Sequence, residues 1–92
     1  MNYQISLSDE AKRTLATLPG RYRQRARRMI DALAAKPRPA EAKELRGRPG
    51  MYRLWLNGWR IIYQVDDEAG AALVIGIRRK TGPETYEGLD VS

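Results

Sequence analysis

The sequence predicts an α+β domain of order β-α-α-β-β-β, with an N-terminal helical hairpin packed on one face of a small, mainly antiparallel sheet. Three observations carry this expectation. Asn57-Gly58 lies between two alternating runs, and both central residues of a type I′ hairpin turn need φ > 0. Two apolar stripes of helical spacing, joined by Pro19-Gly20, precede that hairpin. A third alternating run, residues 71–78, follows it across the acidic turn 66–70.

Taken in order, Tyr3, Ile5 and Leu7 alternate with polar residues and give a short first strand. Ser8 offers an N-cap, and Asp9 and Glu10 stand where the positive end of a helix dipole favours carboxylates. Ala11, Leu15 and Leu18 then form the stripe of a short helix that Pro19-Gly20 ends. A second helix over residues 21–36 carries Tyr22, Ala26, Met29, Ile30 and Leu33 on one side. Arg21, Arg23, Arg25, Arg27 and Arg28 occupy much of the rest, as a solvated face or as contacts to phosphates. Pro37-Arg38-Pro39 cannot continue the helix, so the chain runs extended before residues 41–45. The basic loop 46–50 leads into the hairpin.

A two-residue loop fixes the hairpin register: Leu56 faces Trp59, Trp55 faces Arg60, Leu54 faces Ile61, and Arg53 faces Ile62. One face thus collects Tyr52, Leu54, Leu56, Trp59, Ile61, Tyr63 and Val65, which reads as core. The other holds Met51, Arg53, Trp55, Arg60, Ile62 and Gln64. Strict alternation of the third run sends Leu73, Ile75 and Ile77 to the core, and Ala72, Val74, Gly76 and Arg78 to the other face. Arg53, Arg60 and Arg78 then share an open sheet face, with Gly76 leaving room beside them. Guanidinium groups gathered in this way call for an anion, and phosphate matches their planar fork best.

Composition sets the limits. Ninety-two residues make a single domain, 1–92, with a modest core. A net charge of +6 and a pI near 10.1 favour a polyanionic partner, either nucleic acid or an acidic protein. The chain has no cysteine and no histidine, which excludes disulfides, thiolate catalysis and serine–histidine pairs. Chemistry must run on Arg, Lys, Tyr, Asp or Glu, and no metal or cofactor is expected. Met1-Asn2-Tyr3-Gln4 lacks the basic and apolar regions of a signal peptide, and no apolar run approaches the ~20 residues of a membrane span. A soluble cytoplasmic protein is expected.

Four segments together resemble the RelE/ParE superfamily of toxins from type II toxin–antitoxin modules, nearest its RelE-like ribosome-dependent mRNA endonucleases. They are Ser8-Asp9-Glu10-Ala11, Lys43-Glu44-Leu45-Arg46-Gly47, Met51-Tyr52-Arg53-Leu54, and Trp59-Arg60-Ile61-Ile62-Tyr63-Gln64-Val65, the last being the most specific. The resemblance implies a RelE-like fold and cleavage of mRNA in the ribosomal A site. There a ribose 2′-hydroxyl attacks its own 3′-phosphate while protein groups orient it and stabilise charge. It assigns catalytic positions to Arg53, Arg60, Arg78 and Tyr86. RNA contacts are expected from Lys43, Arg46, Arg48, Trp55, Arg79 and Lys80. The implied partners are a cognate antitoxin laying an amphipathic segment over the toxin, the ribosome with its mRNA, and operator DNA reached through the antitoxin; no membrane is involved. The implied setting is a bacterial or archaeal cytoplasm.

Two departures mark this chain. Trp55 stands where some members have a second lysine, and either stacks on a base or forms a cation–π lid on Arg60. Thr81-Gly82-Pro83 lengthens the spacing between Arg78 and Tyr86. Two other readings stay open: a ParE-like toxin that inhibits DNA gyrase, and a non-enzymatic partner of an antitoxin.

Overall fold

The computed structural model describes residues 2–79. Lys80, the 81–83 segment and Tyr86 lie outside the described residues. The elements are β1 (Gln4–Leu7), α1 (Asp9–Thr17), α2 (Gly20–Ala32), β2 (Lys43–Glu44), β3 (Met51–Leu56), β4 (Trp59–Asp66) and β5 (Ala71–Arg79). They form one sheet of order β1-β5-β4-β3-β2, in which only the β1–β5 pairing is parallel. The expected α+β architecture is therefore present, with the two-residue β2 added at the sheet edge.

Local chemistry sets the helices. Ser8 caps α1, its hydroxyl accepting the Ala11 N–H at 3.0 Å, with Asp9 and Glu10 in the first turn. Arg23 of α2 reaches back to the Ala16 and Leu18 carbonyls at the end of α1, which are otherwise orphaned there. The second helix is shorter than its periodicity suggests, closing at Ala32 instead of residue 36. Past that point the hydrogen bonds tighten, with Leu33 N–H on Ile30 and Ala34 N–H on Asp31, while the Ala34 carbonyl is taken by Tyr3 N–H at 2.7 Å. The tightened turn thus closes the regular helix ahead of Pro37.

Asn57 and Gly58 have φ of 41° and 86°, the conformation of a type I′ turn, and the β3–β4 register is the expected one. Apolar residues of both helices close on one sheet face, where Ala11, Leu15, Ala26, Ile30 and Leu33 meet Leu54, Ile61 and Tyr63.

The third run departs from simple alternation. Ile62 pairs with Gly76 and Tyr63 with Val74, so Ile75 is an extra residue in β5, a β-bulge. Before the bulge the parity is reversed: Ala72 and Val74 are buried in the core and Leu73 is exposed, contrary to expectation. After it Ile77 is buried as expected and Arg78 keeps its face. The bulge sits where β1 leaves the sheet. Pairing ends at Leu7 and Val74, and Ser8 then binds β5 directly, N–H to the Val74 carbonyl at 2.9 Å and hydroxyl to the Ile75 carbonyl. Nor is the face away from the helices wholly open, since Leu45 folds over Met51 and Ile62, with Ile75 beside them.

A polar cluster fastens the 37–39 connection to the strands. Arg38 forks onto Asp67 at 3.0 and 2.9 Å and donates to the Tyr52 hydroxyl at 2.8 Å. Tyr63 stacks on Tyr52 and donates to the Pro37 carbonyl at 2.7 Å. Burial pushes the Tyr63 phenol up to about 12. Its folded value lies above the ordinary ~10, so this contribution is complete below pH ~10 and is lost as the pH rises toward ~12. The unfolding free energy should therefore fall across that window by on the order of 2 kcal/mol, seen as falling denaturant midpoints, and Tyr63→Phe should fall less steeply. Parallel losses in the two chains would refute this account of Tyr63.

Candidate nucleic-acid interface

The hairpin register and the bulge together build two cross-strand rows on the face away from the helices. Trp55, Arg60 and Arg78 are direct neighbours across β3, β4 and β5. In the adjacent row, Lys43, Arg53, Ile62 and Gly76 are aligned across β2 to β5. Arg53, Arg60 and Arg78 thus share one face, as alternation requires, and β2 brings Lys43 directly opposite Arg53. Like charges facing each other across strands oppose folding. Their grouping makes sense where an anion is bound.

Trp55 stands between two guanidinium groups. Arg60 lies over its ring at 4.7 Å and Arg53 at 5.7 Å, while the indole remains 41% exposed. Such contacts preorganise the arginine heads and leave an aromatic surface for a base to stack on. Arg53 Nη1 is buried and has no hydrogen-bond partner among the described residues. A buried charged donor left in that state costs a few kcal/mol, a deficit that an oxyanion relieves only once the guanidinium turns to expose that nitrogen.

Arg78 is held differently. Its Nε donates to Glu10 Oε2 at 2.9 Å and its Nη2 to Glu10 Oε1 at 3.1 Å, a forked ion pair spanning most of the chain. The Arg78 guanidinium holds the Glu10 carboxyl below its ordinary range. A Cβ on Gly76 would lie 2.6 Å from Glu10 Oε2, so the room expected over Gly76 is filled by this carboxylate. Sequence reasoning missed Glu10 as part of the face, reading it only as a helix-dipole residue. Nothing local in the chain signals a partner so distant in sequence.

The remaining expected contacts are scattered. Lys43 is exposed in β2, with Arg46 exposed and Arg48 half-buried in the turn after it, on the Met51 side of Arg53. Arg79 does not join the group. It pairs with Trp59 on the opposite face, its guanidinium 5.2 Å from that ring, because successive residues of a strand point to opposite sides. Lys80 and Tyr86 lie outside the described residues. On α2, Arg21, Arg25 and Arg28 line an open cleft with Tyr22 and Asn57, so positive charge continues around the hairpin turn.

Residues 5–81 match the family model described as the ParE toxin of the type II toxin–antitoxin system parDE. The chain is 30% identical over 88 residues to the mRNA interferase toxin RelE of Escherichia coli K12, covering 94% of this chain and 92% of that protein. Its fold is similar to the toxin in the intact E. coli RelBE toxin–antitoxin complex, with a TM-score of 0.76, 27% identity, and coverage of 87% of this chain and 99% of that one. The archaeal RelE–RelB complex from Pyrococcus horikoshii OT3 shares the fold at a TM-score of 0.79 and 23% identity, over 88% of this chain and 98% of that one.

Proposed function

The chain belongs to the ParE toxin family of type II toxin–antitoxin systems, and on that premise we propose that it is an endoribonuclease toxin cutting mRNA on the Trp55–Arg60–Arg78 face. The observation that carries the reading is that row, with Lys43 and Arg53 beside it, on the sheet face opposite the helices. The mRNA interferase relative supports the activity, and the RelB-bound relatives support a cognate antitoxin as partner. The ribosome is the proposed place of action.

In this reading the 2′-hydroxyl of the target nucleotide attacks the adjacent phosphorus. A P–O bond forms to the 2′-oxygen, the bond to the 5′-oxygen of the next nucleotide breaks, and that oxygen leaves with a proton. Arg53, Arg60 and Arg78 hold the scissile phosphate and stabilise the charge that grows on its oxygens. Guanidinium groups stay protonated at working pH, so they are poor proton acceptors. That role falls to Tyr86, Lys80 or a group on the ribosome or RNA. Trp55 stacks on a base next to the cut, and Lys43, Arg46 and Arg48 contact neighbouring phosphates.

Induction of the protein followed by mapping of RNA 5′ ends tests this directly. The expected result is new ends within codons of translated messages, suppressed by co-expression of the antitoxin. Intact messages accompanied by DNA damage would instead point to gyrase as the target and overturn the proposal.

A further inference from the structure

We propose that Glu10 is a positioning residue for RNA cleavage, a clamp that fixes the plane of the Arg78 guanidinium next to Arg60. The inference rests on the reading that this face cuts RNA. It starts from a geometry in which both carboxylate oxygens are used, at 2.9 and 3.1 Å, on Nε and Nη2 of Arg78. A forked pair of this kind sets orientation as well as distance, which a single contact does not.

The clamp is mounted on a fixed base. Ser8 ties the start of α1 to β5 through the Val74 and Ile75 carbonyls while capping Ala11. Glu10 therefore projects from a helix turn anchored at the bulge itself. Gly76 completes the arrangement, since a side chain there would meet Glu10 Oε2 at 2.6 Å and Arg78 Nε at 3.2 Å. In register Arg78 faces Arg60, and the Glu10 charge offsets the repulsion between them. Arg78 keeps the Glu10 carboxyl ionised at neutral pH, which makes it a weak proton acceptor and leaves orientation as its part in the reaction.

The test is single-turnover cleavage of mRNA on programmed ribosomes, with the full chain and varied toxin concentration. Glu10→Gln should lower the maximal rate about tenfold, with half-saturation changed less than about twofold and the melting temperature lowered by only a few degrees. Gly76→Ala, which pushes the carboxylate aside, should lower the rate in the same direction. In an Arg78→Lys background, where no fork can form, Glu10→Gln should cost less than about twofold. A wild-type rate for Glu10→Gln, or an equal loss in both backgrounds, would overturn the clamp. Wild-type cleavage and its loss in Arg60→Ala test the activity separately: no cutting by the wild type removes both proposals, whereas cutting unaffected by Glu10→Gln removes only this one.

Discussion

Replacement of Arg60 by alanine is expected to lower mRNA cleavage by about 10²–10³-fold, the loss typical for removal of one preorganised group that stabilises developing charge. Arg60 sits at the centre of its row, with Trp55 opposite on β3 and Arg78 opposite on β5. Its head is held over the Trp55 ring, so little motion is needed when phosphate arrives. The cost in stability should stay near ~1–2 kcal/mol, the worth of a partly desolvated cation–π contact. Arg78→Ala should be similarly inactive. Tyr86→Phe should only weaken cleavage, because positioning and electrostatics carry most of the rate in this reading. The check is single-turnover cleavage beside thermal melting of each variant. An Arg60→Ala chain that cuts within a few-fold of wild type would refute the assignment. A Tyr86→Phe chain as inactive as Arg60→Ala would move the main burden onto proton transfer.

Val74→Asp should abolish folding, while Leu73→Asp should be tolerated. The two residues are adjacent, and simple alternation assigns their faces the other way round. The bulge at Ile75 turns Val74, 0% exposed, toward the helices and Leu73, 38% exposed, toward solvent. An unpaired carboxylate at a fully buried position costs several kcal/mol, against a total stability of ~5–15 kcal/mol for a domain of ordinary size. At Leu73 the same charge is hydrated, with an expected cost of about 1–2 kcal/mol from lost partial burial and the poor strand propensity of Asp. Circular dichroism and denaturant melts of the purified variants decide the point. A folded Val74→Asp chain beside an unfolded Leu73→Asp chain would mean that β5 has no bulge.

The hairpin was fully legible in the chain. Asn57-Gly58 admits few other conformations, and a two-residue loop leaves a single register, so Trp55, Arg53 and Arg60 could be assigned to one face in advance. The N-cap of α1 and the apolar sides of both helices were legible for the same reason, since each depends on neighbours within a turn or two. β5 was legible only from Gly76 onward. Its first half is misread because a bulge leaves no periodic trace: Leu73 and Val74 are both apolar, and either could face the core.

What the sequence by itself determined, then, is the order of elements, the turn, and the side of the sheet taken by Arg53, Arg60 and Arg78, all consequences of backbone geometry over a few residues. Only the tertiary structure decided that Lys43 stands opposite Arg53, that Leu45 covers part of the second face, and that Glu10 grips Arg78 over Gly76. The last of these depends on where β1 leaves the sheet and Ser8 takes over the β5 carbonyls. That contact joins residues nearly seventy positions apart, and no local rule of spacing or propensity encodes a distance closed only by folding.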